Sequence, residues 1–327
     1  MSLLIPRNQI ATQYLPIYME SLRIDTVLNF DLYIKIGGEM VLYRSADLPF
    51  TERTRDKLVA NKVLRLHVSS ISRGKYQKYI EQNLDKILTD QQVPEEKKAG
   101  ILYDTSRALM KDVLENPTYG ENIQRSKRLV ENQVSYILKG QEAFHNLLRI
   151  SSFDYYTYTH SVNVCTFAIA LIQQMGCKDE QYIYNLGIGA LLHDIGKSKI
   201  SERILNKRTS LSSMEFELMK KHPKWGIELL TGTDLIEASS YYPVLQHHER
   251  GLKRGYPNGL TLDEMHEYSR IVAIVDTFDA MTTKRVYQGA IETFPALKVM
   301  FSLKGEYDCE LLKSFAELMG PEGLASI

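Results

Sequence analysis

Leu191-Leu192-His193-Asp194-Ile195-Gly196-Lys197 is the stretch that decides how this chain is read. An apolar helical run, Leu186 to Leu192, ends there in an adjacent imidazole and carboxylate. Neighbouring residues on a helix differ by about 100°, so the pair can share a cation only where the helix edge faces a cleft. Working outward, His160 lies upstream, and His222, His247-His248-Glu249 and Asp276 lie downstream. Imidazoles and carboxylates spread over successive predicted helices make a metal site, and this array favours two metals over one. Such a pair can activate water against a phosphodiester.

Each residue also has a plainer reading. His160 shares a helical face with Val164 and Phe167, where a histidine is usually a hydrogen-bonded core residue. Asp194 could cap a helix, and Lys197 could be a solvated cation at a helix end. Adjacent histidines such as His247-His248 are seldom needed for packing, because each ring must satisfy two nitrogens. Asp276 follows Ile271-Val272-Ala273-Ile274-Val275. An acid in so apolar a helix needs a cation, hydrogen bonds or a salt bridge, for example to Arg270 or Arg285. As a set, the residues favour ligation.

At 327 residues the chain has room for about two domains, and 44% hydrophobic content is ample for a core. Lys plus Arg equal Asp plus Glu at 40 each, which argues against general nucleic-acid binding. A local basic patch could still hold a small anion. The N-terminus lacks an apolar signal core, and the longest apolar run, Val164 to Ile172, falls short of the roughly 18 residues of a membrane span. Cys165, Cys177 and Cys309 are unpatterned and read as reduced thiols. The expectation is a cytoplasmic protein without a membrane span.

The predicted organisation is α+β, in three parts. Residues 1–70 form a small α+β module. Phe30, Leu32, Ile34 and Ile36 alternate with polar residues as a half-buried strand. Gly37-Gly38 turns the chain, and Met40 to Arg44 returns. A helix over Glu52 to Ala60 precedes a strand over Val63 to Val68. The module is either a packing or dimerisation unit or a sensory input. Residues 71–122 form a helical connector, in which Pro94-Glu95-Glu96 starts a helix and Asn116-Pro117 ends it. Residues 123–327 form an all-α bundle. There Ser212 with Glu215, and Thr261 with Glu264, have capping-box spacing. The first pair precedes a helix expected to end at His222, the second a helix over Arg270 to Met281.

In residues 125 to 320 the chain resembles the HD-GYP family of HD-superfamily metal-dependent phosphohydrolases. The matching pieces are His160-Ser161, His193-Asp194 through Lys197, Lys221-His222-Pro223 with Gly226, and His247-His248-Glu249-Arg250. Gly255-Tyr256-Pro257, Arg270 through Ala280, Arg285 with Tyr287, and Gly305 through Asp308 complete them. The resemblance implies an HD-type helical bundle and two divalent cations. One would take His160, His193, Asp194 and Asp276. The other would take Asp194, His222, His247 and His248, with Asp194 bridging. Some members hold a third metal through a glutamate where this chain has Tyr156, so two are expected. Ligands without thiolate suit iron or manganese, and zinc is compatible. The family's Asp-Gly is here Leu252-Lys253, so the loop is expected to fold differently.

The activity this resemblance implies is hydrolysis of cyclic di-GMP to pGpG, and further to GMP, by a metal-bridging hydroxide. Asp194 and Lys197 would be catalytic. Lys197 and Arg285 would steady phosphate oxygens, Tyr256 would stack on a guanine or lie over the cleft, and Lys253 and Arg254 would add positive charge. Three readings compete with it: a catalytically weak or inactive effector that binds a nucleotide or a signalling partner such as a diguanylate cyclase, a phosphohydrolase for another cyclic dinucleotide or a nucleotide monoester, and a purely structural helical protein. A homodimer is a further expectation.

Overall fold

Alternation gives strands in the first fifth of the chain, and helical periodicity takes over from Arg73. The computed structural model describes residues 13–63, 65–151, 157–283 and 291–320. The chain divides into two units, Met1–Ile101 and Leu102–Ile327. The architecture is α+β, and among the described residues the strands lie in the first unit.

The first unit holds β1 (Tyr14–Ile17), β2 (Thr26–Val27), β3 (Leu32–Ile36), β4 (Glu39–Arg44), β5 (Pro49–Phe50), α1 (Glu52–Ala60), β6 (Leu66–Ser69) and α2 (Arg73–Thr89). An antiparallel sheet runs in the order β1-β6-β3-β4, and β2 pairs with β5 in a separate ribbon. Gly37 and Gly38 join β3 to β4 with φ of 58° and 96°, the two-residue turn whose twist matches a hairpin. Leu32, Leu66, Val68 and Phe50 are fully buried, each contributing roughly 1.5–3 kcal/mol. Phe30 meets the edges of Tyr76 and Tyr79, which ties α2 to this core. The expected burial alternation fails at the hairpin tip, where Ile36 is 56% exposed, because the tip extends past the residues that cover the sheet.

The division between units falls within α3 (Glu95–Glu115). The stretch expected as a connector, 71–122, therefore falls on both sides of it. The second unit continues with α4 (Gly120–Ile137), α5 (Gln141–Ile150), α6 (Thr157–Gln174) and α7 (Glu180–Leu192). The short α8 (Glu202–Leu205) and α9 (Ser213–Met219) lead to α10 (His222–Thr231) and α11 (Tyr241–Gln246). Then come α12 (Glu267–Thr282), α13 (Thr293–Ser302) and α14 (Cys309–Leu318). Every residue of α6 from Thr159 to Ile172 is buried, so α6 is the axis around which α7, α12 and α14 pack. Phe167 of α6, Phe278 of α12 and Phe315 of α14 meet edge to face at centroid distances of 5.0 to 5.9 Å. Each such pair is worth about 0.5–1.5 kcal/mol beyond its burial.

Two expectations are corrected here. Ser212 and Glu215 do form a capping box at α9, but α9 stops at Met219, and His222 opens α10 with Pro223 in its first turn. Proline suits that position because its missing N–H would be unpaired there anyway. Thr261 and Glu264 bond to each other in a turn, yet α12 begins later, capped by the His266 side chain.

Candidate metal centre

The ends of four helices and the middle of a fifth deliver the site. His160 comes from the first turns of α6. His193 caps the C-terminus of α7, and Asp194 follows it before the 3-10 turn Ile195–Lys199. His222 starts α10, and His247-His248 follow α11. Asp276 lies within α12. Close backbone approach makes this possible. A Cβ at Gly196 would collide with the His222 carbonyl oxygen, so a glycine is required where the 3-10 turn meets α10.

These residues fall into two adjoining groups. Asp194, His222, His247 and His248 form one, and His160, His193 and Asp276 the other, with ligand atoms in each group within 4.8 Å of one another. Asp194 is fully buried and faces both. Its Oδ1 lies 3.2 Å from His222 Nε2 and 3.7 Å from His247 Nε2. Its Oδ2 lies 3.4 Å from His193 Nε2 and 3.8 Å from His160 Nε2. Asp276 Oδ1 is 2.9 Å from His160 Nε2, and its Oδ2 is 3.8 Å from His248 Nδ1. The seven residues named from sequence for metal ligation are thus brought together.

The ring nitrogens show what this arrangement suits. His193, His222 and His247 each place Nδ1 within 2.7 to 2.8 Å of a backbone carbonyl, of Ala190, Met219 and Pro243 respectively. Those carbonyls can only accept, so Nδ1 carries the proton and Nε2 presents a lone pair. Burial, with neighbouring imidazoles, pushes His247 down to about 4 and His222 below its ordinary value, so both rings are neutral. His222 Nε2 and His247 Nε2 then face each other at 3.1 Å with no proton between them. His193 Nε2 and Asp194 Oδ1 are buried without a hydrogen-bond partner. Buried acceptors converging without donors are costly, and divalent cations are the groups that satisfy them. The residues fit divalent cations, and a mixed imidazole and carboxylate set without thiolate suits iron, manganese or zinc.

Charge in the centre is held by a small number of groups. Burial opposes ionisation of Asp194, but the Lys197 ammonium beside it, first among the groups that outweigh burial, holds the carboxyl well below the usual range. Lys197 Nζ lies 2.5 Å from Asp194 Oδ2. Burial also opposes ionisation of Asp276, and His160 and His248 hold it low.

The residues expected at the substrate are placed less uniformly. Tyr256 lies over the centre, its ring 4.6 Å from that of His248 and tilted by 31°. The loop carrying it is pinned by Glu249, fully buried, whose carboxylate accepts the N–H groups of Asn258 and Leu260 at 2.7 and 2.9 Å. Gly255 passes so close to Glu249 and Arg250 that a side chain there would collide. Lys253 and Arg254 are exposed, and Arg254 reaches Glu306 at 3.4 Å. Lys253 takes a left-handed φ of 60°, the conformation a glycine favours. Arg270 pairs with Asp308 at 2.7 Å, not with Asp276. Arg285, Tyr287 and Tyr156 lie outside the described residues.

Sequence reasoning missed Asp279, Asn163 and Tyr103. Asp279 Oδ2 lies 2.6 Å from His160 Nδ1, and Asn163 donates to Asp279 Oδ1 at 2.8 Å. Tyr103 donates to Asn163 Oδ1 at 3.0 Å. The available signal was spacing: Asp279 is one helical turn from Asp276, and Asn163 one turn from His160.

The sequence pattern described as the HD domain matches residues 142–311, just over half of the chain. The chain is 31% identical over 224 residues to "Cyclic di-GMP phosphodiesterase PA4108" of Pseudomonas aeruginosa, covering 68% of this chain and 54% of that protein. It is 32% identical over 145 residues to "3'3'-cGAMP-specific phosphodiesterase 3" of Vibrio cholerae, covering 44% of this chain and 31% of that protein. The chain thus spans about half the length of the first relative and a third of the second. Among solved structures, Bd1817, an HDG"Y"P protein from Bdellovibrio bacteriovorus, superposes with a TM-score of 0.65 at 23% identity. That likeness covers 94% of this chain and 99% of the other, and it shows a shared fold. A matched HD domain that encloses the His193-Asp194 pair, on a bundle that gathers His160, His222, His247 and His248 around it, places this chain in the HD domain family, with the motifs of its HD-GYP branch.

Proposed function

We propose that the chain is a metal-dependent phosphodiesterase that hydrolyses cyclic di-GMP to pGpG, and further to GMP. The observation that carries this reading is Asp194, whose two oxygens face two separate groups of ligands. His160, His193, Asp194 and Asp276 would hold one cation, and Asp194, His222, His247 and His248 the other. Bound there, the pair would supply Lewis acidity and lower the pKa of coordinated water. Iron or manganese is the ion this donor set favours.

The protein's own groups do the rest. The backbone-tethered imidazoles orient the centre before substrate arrives, so little reorganisation is needed during reaction. Lys197, beside Asp194 Oδ2, brings a positive charge to the centre and steadies a non-bridging phosphate oxygen. Tyr256 gives a guanine a flat surface beside His248 and keeps bulk water off that side. Burial holds its phenol above the ordinary value, so it stays neutral and is available as a hydrogen-bond donor to substrate. Arg285, Lys253 and Arg254 are proposed as further phosphate contacts on sequence grounds alone.

The relative named for cyclic di-GMP supports that substrate, and the one named for 3'3'-cGAMP supports a second reading, another cyclic dinucleotide. Anaerobic incubation of the iron- or manganese-loaded protein with each nucleotide, followed by chromatography, separates them. Formation of pGpG or GMP, absent with Asp194→Ala, is the expected result. Turnover of 3'3'-cGAMP alone would replace the substrate assignment. Metal uptake with no turnover of either would favour an effector role with a nucleotide or signalling partner.

A further inference from the structure

We infer that Tyr103, Asn163 and Asp279 are positioning residues that fix the tautomer of His160, and with it the affinity of the cation group formed by His160, His193 and Asp276. The inference rests on the dinuclear reading above.

Each hydrogen bond in the chain sets the direction of the next. Tyr103, on α3, donates its O–H to Asn163 Oδ1 at 3.0 Å. That uses the acceptor side of the Asn163 amide, so its Nδ2 is the atom that meets Asp279 Oδ1 at 2.8 Å. Asp279 has two acceptor oxygens and no proton to give. Its Oδ2, 2.6 Å from His160 Nδ1, therefore takes the Nδ1 proton. Nε2 is then the nitrogen that would offer its lone pair to a cation shared with Asp276, whose Oδ1 lies 2.9 Å away. Tyr103, Asn163, His160 and Asp279 are all buried, so water does not compete for these bonds.

This differs from the other three core imidazoles. His193, His222 and His247 are held by carbonyls three or four residues earlier in their own segments. His160 has a carboxylate 119 residues away. A carboxylate partner also raises the basicity of its imidazole as a ligand, and loss of such partners costs metal affinity about 10- to 100-fold. Because Tyr103 stands on α3, seating of that helix and the ligand state of His160 are linked.

The test exploits direction. In Asp279→Asn the new amide must accept from Asn163, so it turns its NH2 group to His160 Nδ1. The ring is then forced to carry its proton on Nε2, where it blocks the cation. Exchanging the two partners, as Asn163→Asp with Asp279→Asn, restores the order: the new carboxylate accepts from Tyr103 and from the amide, and the amide oxygen accepts from His160.

Mn2+ titration of metal-free protein by calorimetry, with thermal melting as the folding control, reads this out. Wild type is expected to take two ions. Asp279→Asn should lose about 10- to 100-fold in affinity for one of them, and the double exchange should recover most of it. A double exchange no better than Asp279→Asn, or an Asp279→Asn protein that binds both ions like wild type, would overturn the inference alone. Wild type that takes up no Mn2+ would overturn the dinuclear reading as well. If Asp279→Asn does not fold, Tyr103→Phe serves: about fivefold weaker binding of one ion supports the chain, and unchanged binding of both overturns it.

Discussion

His222 Nε2 stands 3.2 Å from Asp194 Oδ1, and neither atom has a proton to offer the other. The ring's proton is committed to the Met219 carbonyl at 2.8 Å, and Asp194 is held ionised by Lys197 and its neighbours. Two lone pairs meet in a buried space, a relationship that water-facing residues never need. Much of what the centre can do follows from this pair and from the same condition at His247.

Asp194→Ala should abolish binding of both ions, since each of its oxygens serves a different group. Elemental analysis after loading with iron or manganese is the measurement. A protein that retains two ions per chain would remove Asp194 from the bridging position. Turnover should fall to background in the same variant.

Lys197→Met should keep both ions and slow hydrolysis by about 100- to 1000-fold, the range for removing one preorganised electrostatic contact in a site. The ammonium now shares Asp194 Oδ2 with the ligands at 2.5 Å, so its removal does not take a ligand away. Unchanged kcat with unchanged metal content would make Lys197 a bystander.

The metal-free protein should lose stability as pH falls from about 6.5 to 4. The His247 ring refuses a proton in the native state until about 4, while an unfolded imidazole takes one near 6.5. Between those values the unfolded state binds more protons, so stability rises with pH and is lost on acidification. The depressed His222, Asp194 and Asp276 act with the same sign. His247 alone accounts for about 3 kcal/mol over the window. Thermal melts of chelator-treated protein at pH 7 and pH 5 check this: an equal or higher Tm at pH 5 would contradict it.

Lys253→Gly should raise stability by about 0.5–1 kcal/mol. Lys253 holds φ at 60°, where a Cβ is penalised and glycine is not. Denaturant melts of the two proteins measure the difference, and a loss of stability would mean the Lys253 side chain makes a compensating contact.

The clustering of the candidate ligands was legible because they are rare residue types in apolar surroundings, as with Asp276 after Val275. The helix of Glu52–Ala60 was legible for local reasons, and its Thr51 cap bears that out. What escaped was tertiary. Asp279 reads as an unremarked acid until α12 lies across α6 and brings it to His160. The role of Glu249 depends on a loop returning to it at Asn258 and Leu260. Thr261 and Glu264 made their local bonds without capping α12, which starts at Glu267, because a two-bond turn is satisfied by itself. The position of His222 was recoverable: Pro223 next to it is the mark of a helix beginning, and it was read as an ending.

The carbonyl tethers on His193, His222 and His247 have a consequence for how the centre is filled. Each link spans three or four residues, so those rings are aimed by their own backbone segments rather than by the ion they await. The folded protein is a socket that stands ready when empty. Loading and stripping are then exchange events at a finished surface, and a chelated sample should accept fresh ions without passing through an unfolded state.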